Sequence, residues 1–136
     1  VRPPRQIALA LARWLLALAP PPATPPPRGS AAAHGADLFV RECAGCHAPP
    51  SFAGGLVPLA VVGTDPAVAL SSDRGTGAYR VPSLRGVSTR GRLLHDGSVA
   101  DLGALFDPGR TVAGHRFGLE LPAADRDALV AYLATL

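Results

Sequence analysis

The chain's only two cysteines stand three residues apart and are followed at once by a histidine, in Cys43-Ala44-Gly45-Cys46-His47. On a helical turn, side chains three apart lie nearly one above the other. Both thiols can then add to the two vinyl groups of one haem, while His47 faces the iron from the same side. This is the attachment signature of c-type haem. It constrains the fold strongly, because the rest of the chain must wrap a flat, largely apolar group tethered at one point. Other uses of the thiols fit less well. A dithiol redox pair belongs near a βαβ pattern, and none is found. A zinc site needs two further ligands at recognisable spacing, and there is no second C-x-x-C and no H-x-H.

Around that anchor the hydrophobic pattern predicts an all-α domain with few helices and long loops. Phe39, Cys43 and Cys46 recur at helical spacing, which predicts a helix over Ala36 to Cys46. From Ala48 to Arg80 prolines and glycines punctuate the chain and predict only loop. A helix signal starts at Ser98, with Asp101 as its capping-box partner and Leu102, Leu105 and Phe106 on one face; Pro108 and Gly109 stop it. The last helix follows Pro122, with Asp125 and Asp127 near its positive end and Leu129, Tyr132, Leu133 and Leu136 as its apolar stripe. No strand pattern competes. The part after residue 33 holds four Phe and two Tyr, and the chain has no methionine. That thin aromatic core would be completed by a bound apolar group.

Charge divides the chain at the same place. Arg2, Arg5, Arg13 and Arg28 lie in residues 1–33, which contain no acid, whereas residues 34–136 hold nine arginines against ten acids. The basic balance therefore belongs to the leader, and nucleic-acid binding is not expected. Ile7 to Ala19 is an apolar run behind a short basic segment, the layout of a secretory signal, and Pro20 to Pro27 is a proline-rich spacer. Residues 1–33 are read as a signal peptide or N-terminal anchor and residues 34–136 as the haem domain. Ala31-Ala32-Ala33 offers a cleavage site, and an uncleaved membrane anchor is the alternative. Either way the domain is expected to be exported, in a bacterium to the periplasm, where covalent haem attachment takes place.

Three separated runs carry a family resemblance: Tyr79-Arg80-Val81-Pro82-Ser83-Leu84-Arg85-Gly86-Val87, then Leu94-His95-Asp96-Gly97-Ser98, then Asp127-Ala128-Leu129-Val130-Ala131-Tyr132-Leu133. In this order they resemble the C-terminal, electron-transfer haem domain of bacterial di-haem cytochrome c peroxidases and MauG-type proteins. The resemblance implies a small cytochrome c-like fold, an electron-passing role and, for Arg85, a contact to a haem propionate. It also exposes two departures. Those proteins carry two haems, and this chain has one C-x-x-C-H. Their electron-transfer haem commonly takes a distal methionine, and none exists here.

The sixth iron ligand must then come from elsewhere, or the position is open. His34 lies beside the candidate cleavage point and is expected to be exposed. His95 sits in the H-D-G turn, where the resemblance implies a pocket residue. His115 follows Gly114 in the loop before the last helix, and Gly109, Gly114 and Gly118 would let that loop approach the haem. His115 is the favoured distal ligand, with His95 as the alternative. The functional expectation is an exported mono-haem electron carrier, one haem c held by Cys43, Cys46 and His47, serving redox partner proteins. Arg74, Arg80, Arg90 and Arg92 are solvated or form a docking face for an acidic partner. Membrane contact is expected only if the N-terminal segment is retained. The alternative is a peroxidase-like haem enzyme, or the haem subunit of a larger oxidoreductase, with an exchangeable distal position.

Overall fold

A computed structural model describes residues 4–18 and 24–136. Residues 1–3 and 19–23, which include Arg2, Ala19 and the start of the proline-rich spacer, lie outside the described residues. The order of elements is α1 (Arg5–Ala17), α2 (Ala31–Glu42), β1 (Leu56–Pro58), α3 (Leu59–Val62), β2 (Ala78–Arg80), α4 (Leu102–Leu105) and α5 (Ala123–Leu133), with a 3-10 turn at Val87–Thr89. The domain is mostly helical, as expected for a small cytochrome c-like fold. Two short strands are an addition to that expectation. β1 and β2 pair antiparallel, Val57 opposite Tyr79, within and at the end of the stretch read as loop. Strands of three residues are too short to show an alternating pattern.

α2 and α5 form the main helix pair. α2 starts earlier than its apolar spacing implies, because the Ser30 Oγ accepts a hydrogen bond from the Ala33 N–H at 3.2 Å and caps three alanines. It ends at Glu42, so Cys43 to Cys46 lie on the turns that follow, with the His47 N–H donating to the Cys43 carbonyl at 2.9 Å. Leu38 and Phe39 of α2 and Leu129 of α5 are the most deeply buried large side chains. Gly35 is needed at the crossing, since a Cβ there would run into the Ala128 carbonyl. α5 begins after Pro122 as expected and buries Ala128, Leu129 and Leu133.

α4 also departs from expectation in its start. Asp101 itself is the N-cap, its Oδ1 accepting from the Ala104 N–H at 2.8 Å, while Ser98 donates to Asp96 in the preceding turn. The core gathers Phe52, Val87, Leu93, Val99, Leu102, Leu105, Phe106 and Leu136 around the α2–α5 pair. α1 buries none of its residues, leaving Ile7, Leu9, Leu11 and Trp14 exposed. Among the described residues no helix is long and apolar enough to cross a membrane.

Candidate haem site

His47 is buried, at 8% exposure. Its Nδ1 lies 3.1 Å from the Phe52 carbonyl, so Nδ1–H is the donor and Nε2 is left unprotonated for a metal. Burial lowers the His47 pKa, against the opposing effect of the Phe52 and Pro82 carbonyls, and favours the neutral, ligating form.

The Phe52 carbonyl is aimed by the Val81-Pro82-Ser83-Leu84-Arg85 run. Leu84 N–H donates to the same carbonyl at 3.1 Å, the Ser83 hydroxyl donates to the Ser51 carbonyl at 2.6 Å, and Arg85 donates through Nε and Nη2 to the Pro50 carbonyl at 3.0 and 2.6 Å. Phe52 takes a left-handed conformation with φ of 52°, and its ring meets Phe39 edge-on at 5.7 Å. The fork of Arg85 is thus spent on the loop that orients His47, a use that the sequence alone did not indicate.

Cys43 is partly buried and Cys46 exposed, and both are free thiols. Burial, then the neighbouring Glu42 and Cys46, pushes the Cys43 thiol up to about 11. At neutral pH it is not the thiolate that a redox-active dithiol requires.

Facing His47 is His115, with ring centres 6.4 Å apart and planes inclined at 63°. If both rings were bound through nitrogen to one metal ion with bonds of about 2 Å, their ring centres would lie up to about 6.3 Å apart. The Nδ1 of His115 is buried without a hydrogen-bond partner among the described residues. A buried imidazole nitrogen left unpaired costs about 1–3 kcal/mol, which a bond to that nitrogen would offset. Burial, with the nearby His47 and Arg110 acting in the same direction, lowers its pKa against the opposing effect of its own backbone carbonyl and again favours the neutral form. The residues present therefore fit a haem held between two histidines.

His115 is placed by backbone. Its N–H donates to the Val62 carbonyl at the end of α3 at 2.6 Å. Gly114 packs so closely on Gly63 and Thr64 that no Cβ could be accommodated, and its φ of 78° suits glycine. Phe117 meets the His115 ring edge-on at 5.4 Å.

The other candidates lie differently. His95 is exposed and stacks on Tyr79, ring centres 4.1 Å apart. His34 pairs with Asp125, its Nε2 2.7 Å from Oδ1, and joins α2 to α5 at the surface. Among the described residues no three His, Cys, Asp or Glu side chains converge on a metal position. Arg110, which sequence reasoning passed over, donates to the carbonyls of Leu105, Val112, Gly114 and His115. Its only local signal was its place after the Asp107-Pro108-Gly109 turn.

The model of the family described as cytochrome c matches residues 32–136, which include both histidines and both cysteines of the site. No curated protein and no solved structure matched the chain.

Proposed function

Because the chain belongs to the cytochrome c family, whose domain implies covalently bound haem c and a haem electron-carrying role, we propose that it is a mono-haem carrier with bis-histidine ligation. Cys43 and Cys46 tether the haem, His47 is the proximal ligand and His115 the distal one. The observation that carries this reading is the His47–His115 pair at 6.4 Å, with the His115 Nδ1 buried and without a hydrogen-bond partner.

Haem c supplies a one-electron couple. The chain's own residues hold that couple in one coordination. His47 keeps a fixed tautomer through the Phe52 carbonyl, which also makes its Nε2 more electron-rich. His115 closes the other face, so little need rearrange when an electron arrives or leaves, and small ligands are kept out. Two imidazoles favour the ferric state more than an imidazole and a thioether do, which sets a lower potential than histidine–methionine ligation gives.

Export and an acidic redox partner belong to the same proposal. The exposed Arg80, Arg90 and Arg92 suit docking to such a partner. The relation to the di-haem peroxidases rests on the three sequence runs. A peroxidase-like activity, which needs an exchangeable iron position, gains no specific support from a second histidine 6.4 Å from His47.

The test is a potentiometric titration of the holoprotein followed at its visible bands, with peroxide consumption measured alongside. A single reversible one-electron wave without peroxide turnover is expected. Rapid peroxide consumption that gives a turnover number typical of enzymes would overturn the proposal.

A further inference from the structure

We propose that Arg110 is the positioning residue of the distal site: its guanidinium ties the loop from Leu105 to His115 into the one conformation that presents His115 to His47. This rests on His115 as the distal ligand and adds what holds it there.

The donors of the side chain are spent on one loop. Nε donates to the Leu105 carbonyl at 3.0 Å, at the end of α4. Nη1 donates to Val112, and Nη2 to both Gly114 and His115, the last at 2.8 Å. The guanidinium therefore closes a ring of backbone from residue 105 to 115 with no carboxylate partner, since His34–Asp125 is the only ion pair among the described residues. A planar fork of five N–H groups can serve several converging carbonyls, and a lysine ammonium cannot reproduce that arrangement.

The loop needs such a tie. His115 lies in the left-handed region with φ of 44°, beside Gly114 at 78°, so the ligand-bearing residue occupies a conformation that disfavours side chains. Loop residues Thr111, Ala113 and Arg116 are exposed, and Val112 is the one side chain between Arg110 and His115 that packs against the core. Besides Arg110, the Val62 carbonyl and the Gly63–Gly114 contact fix the segment, and both act on one side of it. Without the fork, the loop can relax toward right-handed backbone and carry His115 away from His47.

The experiment uses holoprotein of wild type, Arg110→Gln, Arg110→Lys, His115→Ala and Leu129→Ala. Visible spectra of the ferric form and carbon monoxide binding by the ferrous form are recorded, with thermal unfolding of each. Arg110→Gln is expected to gain a high-spin component and to raise the carbon monoxide-accessible fraction about tenfold over wild type. Arg110→Lys should fall between them. Leu129→Ala should unfold at lower temperature while staying low-spin and closed to carbon monoxide, which separates positioning from stability.

If His115→Ala opens the iron and Arg110→Gln remains low-spin and closed, the inference about Arg110 is overturned while the ligand assignment stands. If His115→Ala itself stays closed, the ligand assignment fails first. Should Arg110→Gln yield no holoprotein, Arg110→Lys carries the test with the same readouts. Failure of both, with Leu129→Ala recovered as holoprotein, would make Arg110 a folding residue and overturn the proposal.

Discussion

At position 115 a histidine occupies backbone that glycine would adopt more readily, and its buried Nδ1 finds no hydrogen bond. Both features cost free energy, which use of the ring as a ligand would offset. Its use as an axial ligand predicts the sign of a potential change: His115→Met in the holoprotein should raise the midpoint potential, by on the order of 0.1 V, because thioether sulfur favours the ferrous state. A potentiometric titration reads it, and an unchanged or lower potential would contradict the assignment. His115 could be singled out in the sequence because methionine is absent and glycines surround it. Its anchors could not. The Val62 carbonyl and the Arg110 fork act on backbone atoms, which any residue type supplies, so no side-chain pattern announces them. Arg85 shows the same limit on the proximal side. Its motif was visible, but the Pro50 carbonyl that it holds was not.

Between elements, the crossing of α2 and α5 decides whether the haem-binding turn is held firmly, because Cys43 follows the last residue of α2. Gly35 permits the approach, and Gly35→Ala should destabilise the holoprotein by about 2–4 kcal/mol, since the clash is with backbone that cannot step aside. Denaturant unfolding followed by circular dichroism measures this. A change below about 0.5 kcal/mol would mean that the helices separate freely. α5 was legible because Leu129 and Leu133 repeat at helical spacing and are buried, with Leu136 continuing the spacing just past its end and also buried. α2 was placed too late because the cysteines were counted into its period, whereas Ser30 and the alanines after it set its start. β1 and β2 are held by their register against each other and by the Tyr79 hydroxyl, which donates to the Asp65 carbonyl at 2.8 Å, contacts that lie far apart in the chain.

Across the whole molecule, the buried core gathered on α2 and α5 is of modest size, and much of the chain from Ala48 to Arg80 has little regular structure of its own. Haem binding should therefore supply a large share of the stability. Protein made without haem attachment, as Cys43→Ala/Cys46→Ala, is expected to melt at least roughly 20 °C below the holoprotein by circular dichroism. Equal midpoints would mean that the chain folds without haem. Residues 1–23 behave otherwise. α1 buries nothing, while the Thr24 N–H donates to the Thr135 carbonyl at 3.3 Å, so removing residues 1–23 should leave the visible spectrum and the melting midpoint of the haem domain unchanged. The account rests most on the two histidines meeting one iron, and the ferric and ferrous visible spectra of wild type and His115→Ala, each with and without carbon monoxide, test it most directly. Wild type should be low-spin and indifferent to carbon monoxide, and His115→Ala high-spin and carbon monoxide-binding. A wild-type spectrum that is already high-spin, or a His115→Ala spectrum that stays low-spin and closed, would contradict it.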